Sequence, residues 1–231
     1  MALRAIIFDL DGTLAETEPL HLEAFNAALR SEGIGIEPGD YFNRLIGYDD
    51  HDCLSILLRE YRSGTSEARI AELMAQKAAI YQEMIQHRDV LFPGAADFVR
   101  RAAERFPLAL VTGTLRAEAE TVLRNSGLRE LFKVVVTAED VSRGKPEPDG
   151  FLAALGQLGF ILRLRPSLNA GECLAIEDTT AGIVAATQAG MRVLAVCHTS
   201  TPERLASAHL VRRSLAEIDF DELLRILATM G

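Results

Sequence analysis

Two aspartates one residue apart, Asp9 and Asp11, close a short apolar run and lead at once into Gly12 and Thr13. Carboxyl groups that close repel each other unless a cation lies between them or one keeps its proton. A divalent, oxygen-seeking cation such as Mg2+ is held by one or two carboxylates together with substrate phosphate. Three further groups fit the same use: Thr112-Gly113-Thr114, Lys145 inside R-G-K-P-E-P-D, and the pair Glu177-Asp178. Lys145 can neutralise a nucleophilic carboxylate and a phosphate oxygen together, while Thr112 and the amides of Gly113 and Thr114 can donate to other phosphate oxygens. The outer acids would hold the metal. Such a site transfers a phosphoryl group by positioning and electrostatics, with a carboxylate as covalent nucleophile. Each piece also has a plainer reading: a solvated Asp-Gly turn, an exposed loop lysine, a threonine helix cap, and an acidic pair favoured by a helix dipole. Four such coincidences at matching places in the fold are a weaker account than one site.

For the four groups to meet, the chain must bring them to one edge. Residues 4–10 read as a strand buried on both faces, with the two acids at its carboxyl end. Alternation along that strand lets Asp9 and Asp11 converge on one small volume. Residues 18–33 space Leu20, Ala24, Phe25, Ala28 and Leu29 as an amphipathic helix that Gly33 stops. Residues 34–47, rich in Gly and Pro, read as a connection, and helical runs follow over 50–62 and 66–87, with Ser66 as N-cap. From Phe92-Pro93-Gly94 onward, helices over 95–105, 116–126, 149–158 and 180–189 alternate with strands over 108–112, 134–136, 173–176 and 192–196. Repeated βα units predict a parallel sheet with helices on both faces. The expected fold class is therefore α/β, a doubly wound, Rossmann-like parallel-sheet core (residues 1–15 and 89–231) with an inserted all-helical cap (16–88). A closing helix follows from Leu215, Ile218, Phe220, Leu223, Leu224 and Leu227. Ligands in such sheets bind at the carboxyl ends of the strands, where all four groups fall.

The 231 residues, 48% of them hydrophobic, supply a sizeable core. A net charge of -9 without a long basic patch argues against nucleic acid or an anionic membrane as partner. The three cysteines, Cys53, Cys173 and Cys197, are scattered and lack metal-ligand spacing, which predicts reduced thiols and no disulfide. The first residues reach an acid too soon for a secretory leader, and no apolar run approaches a membrane span. The expectation is a cytoplasmic protein, a monomer or weak homodimer, acting on a small phosphorylated metabolite.

With F-D-L-D-G-T at Phe8 to Thr13, V-T-G-T at Val111 to Thr114, R-G-K-P-E-P-D at Arg143 to Asp149 and I-E-D-T-T-A-G-I at Ile176 to Ile183, the whole chain resembles the haloacid dehalogenase superfamily of phosphohydrolases. Its helical insertion resembles the cap of the branch that contains β-phosphoglucomutase, phosphoglycolate phosphatase and CbbY-type sugar-bisphosphate phosphatases. The resemblance implies Asp9 as the nucleophile that forms an aspartyl-phosphate. It implies Asp11 as general acid and then base, with its backbone carbonyl on Mg2+. Asp178 would be the firmest further metal ligand, Glu177 a ligand or a partner just behind one, and Thr112 and Lys145 the phosphate binders. The superfamily also holds true dehalogenases that use the first acid without metal; Asp11, Gly12 and Glu177-Asp178 are parts that phosphoryl transfer needs and dehalogenation does not.

Specificity should come from the cap, which excludes water from the phosphoryl group as it closes. Thr17, Glu18 and His21 follow the first motif, in a run similar to the CbbY-type branch. Lys77 falls where mutase relatives carry a cap lysine. A partly exposed helix histidine and a solvated helix lysine are the plainer readings of His21 and Lys77. Where relatives have an arginine that clamps a distal phosphate, this chain has Asp50, which would repel one. Arg44 or Arg116 could restore a clamp. The sequence thus points to a Mg2+-dependent phosphatase of a small sugar or polyol monophosphate. A sugar phosphomutase or sugar-bisphosphate phosphatase is the alternative, and a non-catalytic binding scaffold a remote one.

Overall fold

The structure, a computed structural model, describes residues 2–61, 66–163 and 167–229. Strand β1 (Ala5–Phe8) opens the chain and lies in the middle of a six-stranded sheet. The other strands are β2 (Leu108–Val111), β3 (Phe132–Val136), β4 (Cys173–Glu177), β5 (Arg192–Val196) and β6 (Leu210–Arg212), in the order β3-β2-β1-β4-β5-β6. All pairings are parallel, with Phe8 of β1 opposite Leu110 of β2 and Ile176 of β4.

Alternation sorts the strand residues into two cores. Ile6, Phe8, Leu108, Leu110, Leu174, Ile176, Leu194 and Val196 face one side, against helices α5 (Ala95–Ala103), α6 (Arg116–Asn125) and α9 (Phe220–Thr229). Ala5, Ile7, Ala109, Val111, Ala175, Val193 and Ala195 face the other, against α7 (Asp149–Ile161) and α8 (Thr180–Gln188). Large side chains crowd the first face, where the Phe8 ring meets Phe98 and Phe132 edge-on. Smaller residues on the second let α7 and α8 approach closely.

Between β1 and α5 lie α1 (Glu18–Ala28), the single turn α2 (Pro38–Asp40), α3 (Asp50–Tyr61) and α4 (Glu67–Ile85). A third hydrophobic cluster, including Leu22, Phe25, Leu29, Tyr41, Leu54, Leu57 and Leu73, is drawn wholly from this insertion. The long α4 also sends Tyr81 and Ile85 into the core under the sheet. The chain leaves and re-enters the core side by side: Ala15 bridges Leu91, Glu16 N–H donates to Val90 O (2.7 Å), and Phe92 N–H donates to Leu14 O (2.9 Å).

The element order follows the sequence reading, with instructive differences. β1 ends at Phe8 because Gly12, at φ 76°, turns the chain; Leu10 is buried beyond the strand end rather than within it. The expected connection over 34–47 contains α2 and a π-helical turn, Tyr41–Leu45, because Tyr41 and Leu45 turn inward. Strand β6 was not foreseen, since its three half-buried residues carry too short a pattern. The expected end of the second insertion helix at Arg62 lies outside the described residues. Among the described residues no helix is long and apolar enough to cross a membrane.

Gly94 opens α5 at φ 80°, and a Cβ there would lie 2.6 Å from the Ala216 backbone. Gly94→Ala is expected to lower stability by about 1–3 kcal/mol, read from urea unfolding, because both the backbone angle and the close approach require glycine.

Candidate active site

The register of β1 with β4 puts the residues after each strand side by side. Asp9 N–H donates to Ile176 O (3.0 Å), which sets the Asp9 carboxyl beside Glu177 and Asp178. Carboxylate oxygens of Asp9, Glu177 and Asp178 all lie within 4.8 Å of one another, and all three residues are buried. Lys145, from the loop between β3 and α7, reaches in with its Nζ 2.5 Å from both Asp9 Oδ1 and Glu177 Oε1. Glu177 Oε2 accepts from Asp178 N–H (3.0 Å), Thr179 N–H (3.3 Å) and the Thr179 hydroxyl (3.2 Å). Gly182 leaves room for this carboxylate, which a Cβ there would overlap. Asp178 accepts from the hydroxyls of Thr13 (2.8 Å) and Thr199.

One ammonium does not balance three buried carboxyls. Burial pushes Asp9 well above the ordinary carboxylate range despite Lys145, and burial with the Glu177 charge does the same to Asp178. Lys145 is driven up because Asp9 and Glu177 overcome its own burial. The surplus of hard oxygen donors around one point fits a divalent cation of the Mg2+ type. The Asp11 side chain stands apart from this cluster.

Asp11 is held by three donors instead. Thr17 Oγ1 donates to its Oδ1 (2.6 Å), Thr112 Oγ1 to its Oδ2 (2.9 Å), and His21 Nε2 lies 3.3 Å from Oδ1. The other ring nitrogen, His21 Nδ1, lies 2.8 Å from Lys77 Nζ. An ammonium only donates, so Nδ1 accepts and Nε2 carries the proton toward Asp11. Burial raises Asp11, but the hydrogen bond from His21, then those from the Thr17 and Thr112 hydroxyls, bring it below the ordinary range. Burial and Lys77 lower His21, whose ring stacks on Tyr81 at 4.0 Å.

Lys77 is completely buried, which corrects the reading of it as a solvated helix lysine; likewise His21 is enclosed rather than partly exposed. Lys77 Nζ lies 2.9 Å from Asp50 Oδ2 and 3.8 Å from Glu118 Oε2, and the acids hold its ammonium charged against burial. Asp50 therefore is not a bare acid, as the sequence suggested, but half of an ion pair. Arg44 is tied to Asp40 (2.8 Å) and Glu60, and Arg116 to Asp140 and the Val135 carbonyl (3.3 Å). Neither lines the cavity, so neither supplies the expected clamp. Arg116 opens α6 and is drawn to the turn after β3, where Glu139 accepts its backbone N–H (2.7 Å).

A cavity joins these parts, lined by Asp9, Asp11, Gly113, Thr114 and Lys145 from the strand ends and their loops and by Glu18, His21, Phe25, Tyr41, Tyr48 and Asp50 from the insertion. Thr112 lies just behind, its Oγ1 accepting from Thr114 N–H (3.1 Å). Sequence reasoning missed Thr13, Thr199, Tyr41 and Glu118. Glu118 gave no useful signal: an acid in the first turn of a helix looks like an ordinary dipole partner, yet it is 1% exposed.

Removing Lys77 strands two buried carboxyls. Lys77→Met is expected to destabilise the fold by about 3–5 kcal/mol in urea unfolding, and adding Asp50→Asn and Glu118→Gln to recover part of that loss.

Residues 3–190 match the family of haloacid dehalogenase-like hydrolases. CbbY of Rhodobacter capsulatus is 36% identical over 201 residues, which span 84% of this chain and 85% of that protein. Validoxylamine A 7'-phosphate phosphatase of Streptomyces hygroscopicus subsp. limoneus is 30% identical across 93% of this chain and 95% of its own. The crystal structure of CbbY from Rhodobacter sphaeroides in complex with xylulose-(1,5)bisphosphate superposes with a TM-score of 0.82 at 29% identity, over 93% of this chain and 96% of that one. By its fold, its four motifs and these likenesses, the chain belongs to the haloacid dehalogenase-like hydrolases, in their CbbY-like branch, and is a phosphoric monoester hydrolase.

Proposed function

We propose that the protein hydrolyses a small sugar or polyol monophosphate, with Mg2+, through an aspartyl-phosphate on Asp9. The observation that carries this reading is the opposite treatment of two carboxyls in one cavity. Asp9 belongs to the acid cluster and touches Lys145, while Asp11 is held away from that cluster by Thr17, Thr112 and His21. One is equipped to attack phosphorus, the other to move a proton.

Asp9 and Asp178, with Glu177 and the Asp11 backbone carbonyl, would hold Mg2+; when bound, the ion neutralises phosphate charge that the acids would otherwise repel. Lys145 and Thr112 orient the phosphoryl oxygens. An Asp9 oxygen forms the new bond to phosphorus as the ester P–O bond breaks, and Asp11 gives its proton to the departing alkoxide oxygen. Asp11 then takes a proton from water, which attacks phosphorus and frees Asp9. The three donors on Asp11 favour its carboxylate, the form the second half needs. The first half needs the proton in place, so one of those hydrogen bonds must be given up on the way in.

The helices of residues 16–88 act in this reading as a cap on a core of residues 1–15 and 89–231, and a hydrophobic cluster wholly inside the insertion supports that division. Among the described residues that line the cavity, Lys145 is the only permanent cation, and Lys77 is saturated by Asp50 and His21. This favours one phosphate per substrate. The likeness to a CbbY bound to a bisphosphate is the observation in favour of the second reading, a bisphosphate phosphatase or mutase.

Phosphate release from a panel of sugar and polyol esters should require Mg2+, vanish with EDTA, and fall by at least about a thousandfold in Asp9→Asn. Monophosphates are expected to exceed bisphosphates in kcat/KM; the reverse order, or transfer of the phosphate to a second sugar hydroxyl, would establish the second reading.

A further inference from the structure

The lining that residues 16–88 give the cavity offers acceptors that a neutral sugar does not satisfy. Glu18 and Asp50 belong to it, and Glu118 lies behind Thr114, in contact range of Lys77. Against these three carboxyls stands one ammonium, Lys77. His21 adds no charge, because its Nδ1 accepts from Lys77 and only Nε2 carries a proton.

Among the described residues, acceptor atoms of this lining remain open. Tyr41 Oη donates to Glu18 Oε2 (2.6 Å), while Glu18 Oε1 has no hydrogen-bond partner among the described residues, although the residue is 94% buried. Asp50 gives one oxygen to Lys77, and the other has no partner among the described residues. Glu118 Oε1 is buried and has no hydrogen-bond partner among the described residues. Burial, with Asp11 nearby, pushes Glu18 up to about 8, and burial pushes Glu118 to the same level. A cation beside Glu18 would hold it ionised.

The remaining lining is aromatic: Phe25, Tyr41 and Tyr48. Rings supply no ligands to a hard metal ion, which needs six or more oxygens, but they suit an ammonium through their negative faces. The protein already places one there in this manner. Lys77 Nζ lies 5.2 Å from the Phe25 centroid and 4.8 Å from that of Tyr81.

We propose that this part of the lining, Glu18 and Asp50 with Phe25, binds a protonated amine of the substrate, so that the preferred ester is the monophosphate of an amino sugar or another amino alcohol. An ammonium brings three donors and the missing positive charge to acceptors that a hydroxyl serves with one donor and no charge. The inference rests on the phosphomonoesterase reading above and narrows its substrate class.

The test compares matched pairs with Mg2+ present: glucosamine 6-phosphate with glucose 6-phosphate, and phosphoethanolamine with 2-hydroxyethyl phosphate. At least one amine is expected to exceed its hydroxyl partner about tenfold or more in kcat/KM, the scale of one charge-assisted hydrogen bond. N-acetylglucosamine 6-phosphate, which keeps the nitrogen and loses the charge, should forfeit the advantage. Glu18→Gln should bring the amine-to-hydroxyl ratio of the favoured pair down to about one. If the wild-type enzyme hydrolyses the esters and neither amine outruns its partner, or if the acetylated ester keeps the advantage, the amine site is overturned and the phosphatase reading stands. If no ester in the set, nor p-nitrophenyl phosphate, is hydrolysed, both fall together. The wild-type pairs decide the matter even if Glu18→Gln fails to fold.

Discussion

An ammonium held between two carboxylates is the interaction on which this molecule turns. Parallel pairing of β1 with β4 sets Phe8 opposite Ile176, so the acids that follow must crowd one another. Without Lys145, the two acids that the register brings together would repel unless one kept its proton. The lysine arrives from a loop more than a hundred residues away, and the fold at the strand ends closes around it. The same solution recurs above the sheet, where Lys77 is shared by Asp50 and Glu118. In both places burial makes each partner indispensable to the others, because an unmatched charge in a dry interior is far more costly than the pair.

The two lysines nonetheless answer to different surroundings. Lys145 sits within reach of the cavity among acids that can share a metal, so its charge remains available to a phosphate. Lys77 is sealed by rings and by its own partners and passes its influence on through His21. The imidazole tautomer is set on one side and presented on the other, a use of histidine as an oriented donor rather than as a titrating switch.

What could be read from the sequence follows from distance along the chain. The four strand-end motifs were legible because a parallel α/β sheet brings carboxyl ends of strands together whatever their separation, and the residue types there were chemically coherent. The expected sheet and the block of helices after the first strand likewise needed only periodicity. The Lys77–Asp50–Glu118 contacts were not legible, since they join α4, α3 and α6 through helix orientations that no local pattern encodes. Asp50 read as a lone acid because its partner is 27 positions away in the sequence. Arg116 read as a candidate clamp because it follows the second motif closely, yet the first turn of α6 faces Asp140. A three-residue strand such as β6 carries too little pattern to register.

The paired crossing at Ala15 and Leu91 has a mechanical consequence. Two chain segments that leave and re-enter the core side by side, tied by Glu16 to Val90 and by Phe92 to Leu14, form a flat ribbon rather than two independent tethers. A ribbon twists and bends about its own plane more readily than it stretches or shears. Asp11 is itself bridged to Ala15 at the root of that crossing, while Thr17 and His21 lie on the far side of it. The Asp11 carboxylate is thus gripped from both sides of the crossing, by Thr112 from the sheet and by Thr17 and His21 from the insertion, and its proton affinity depends on the two sides together.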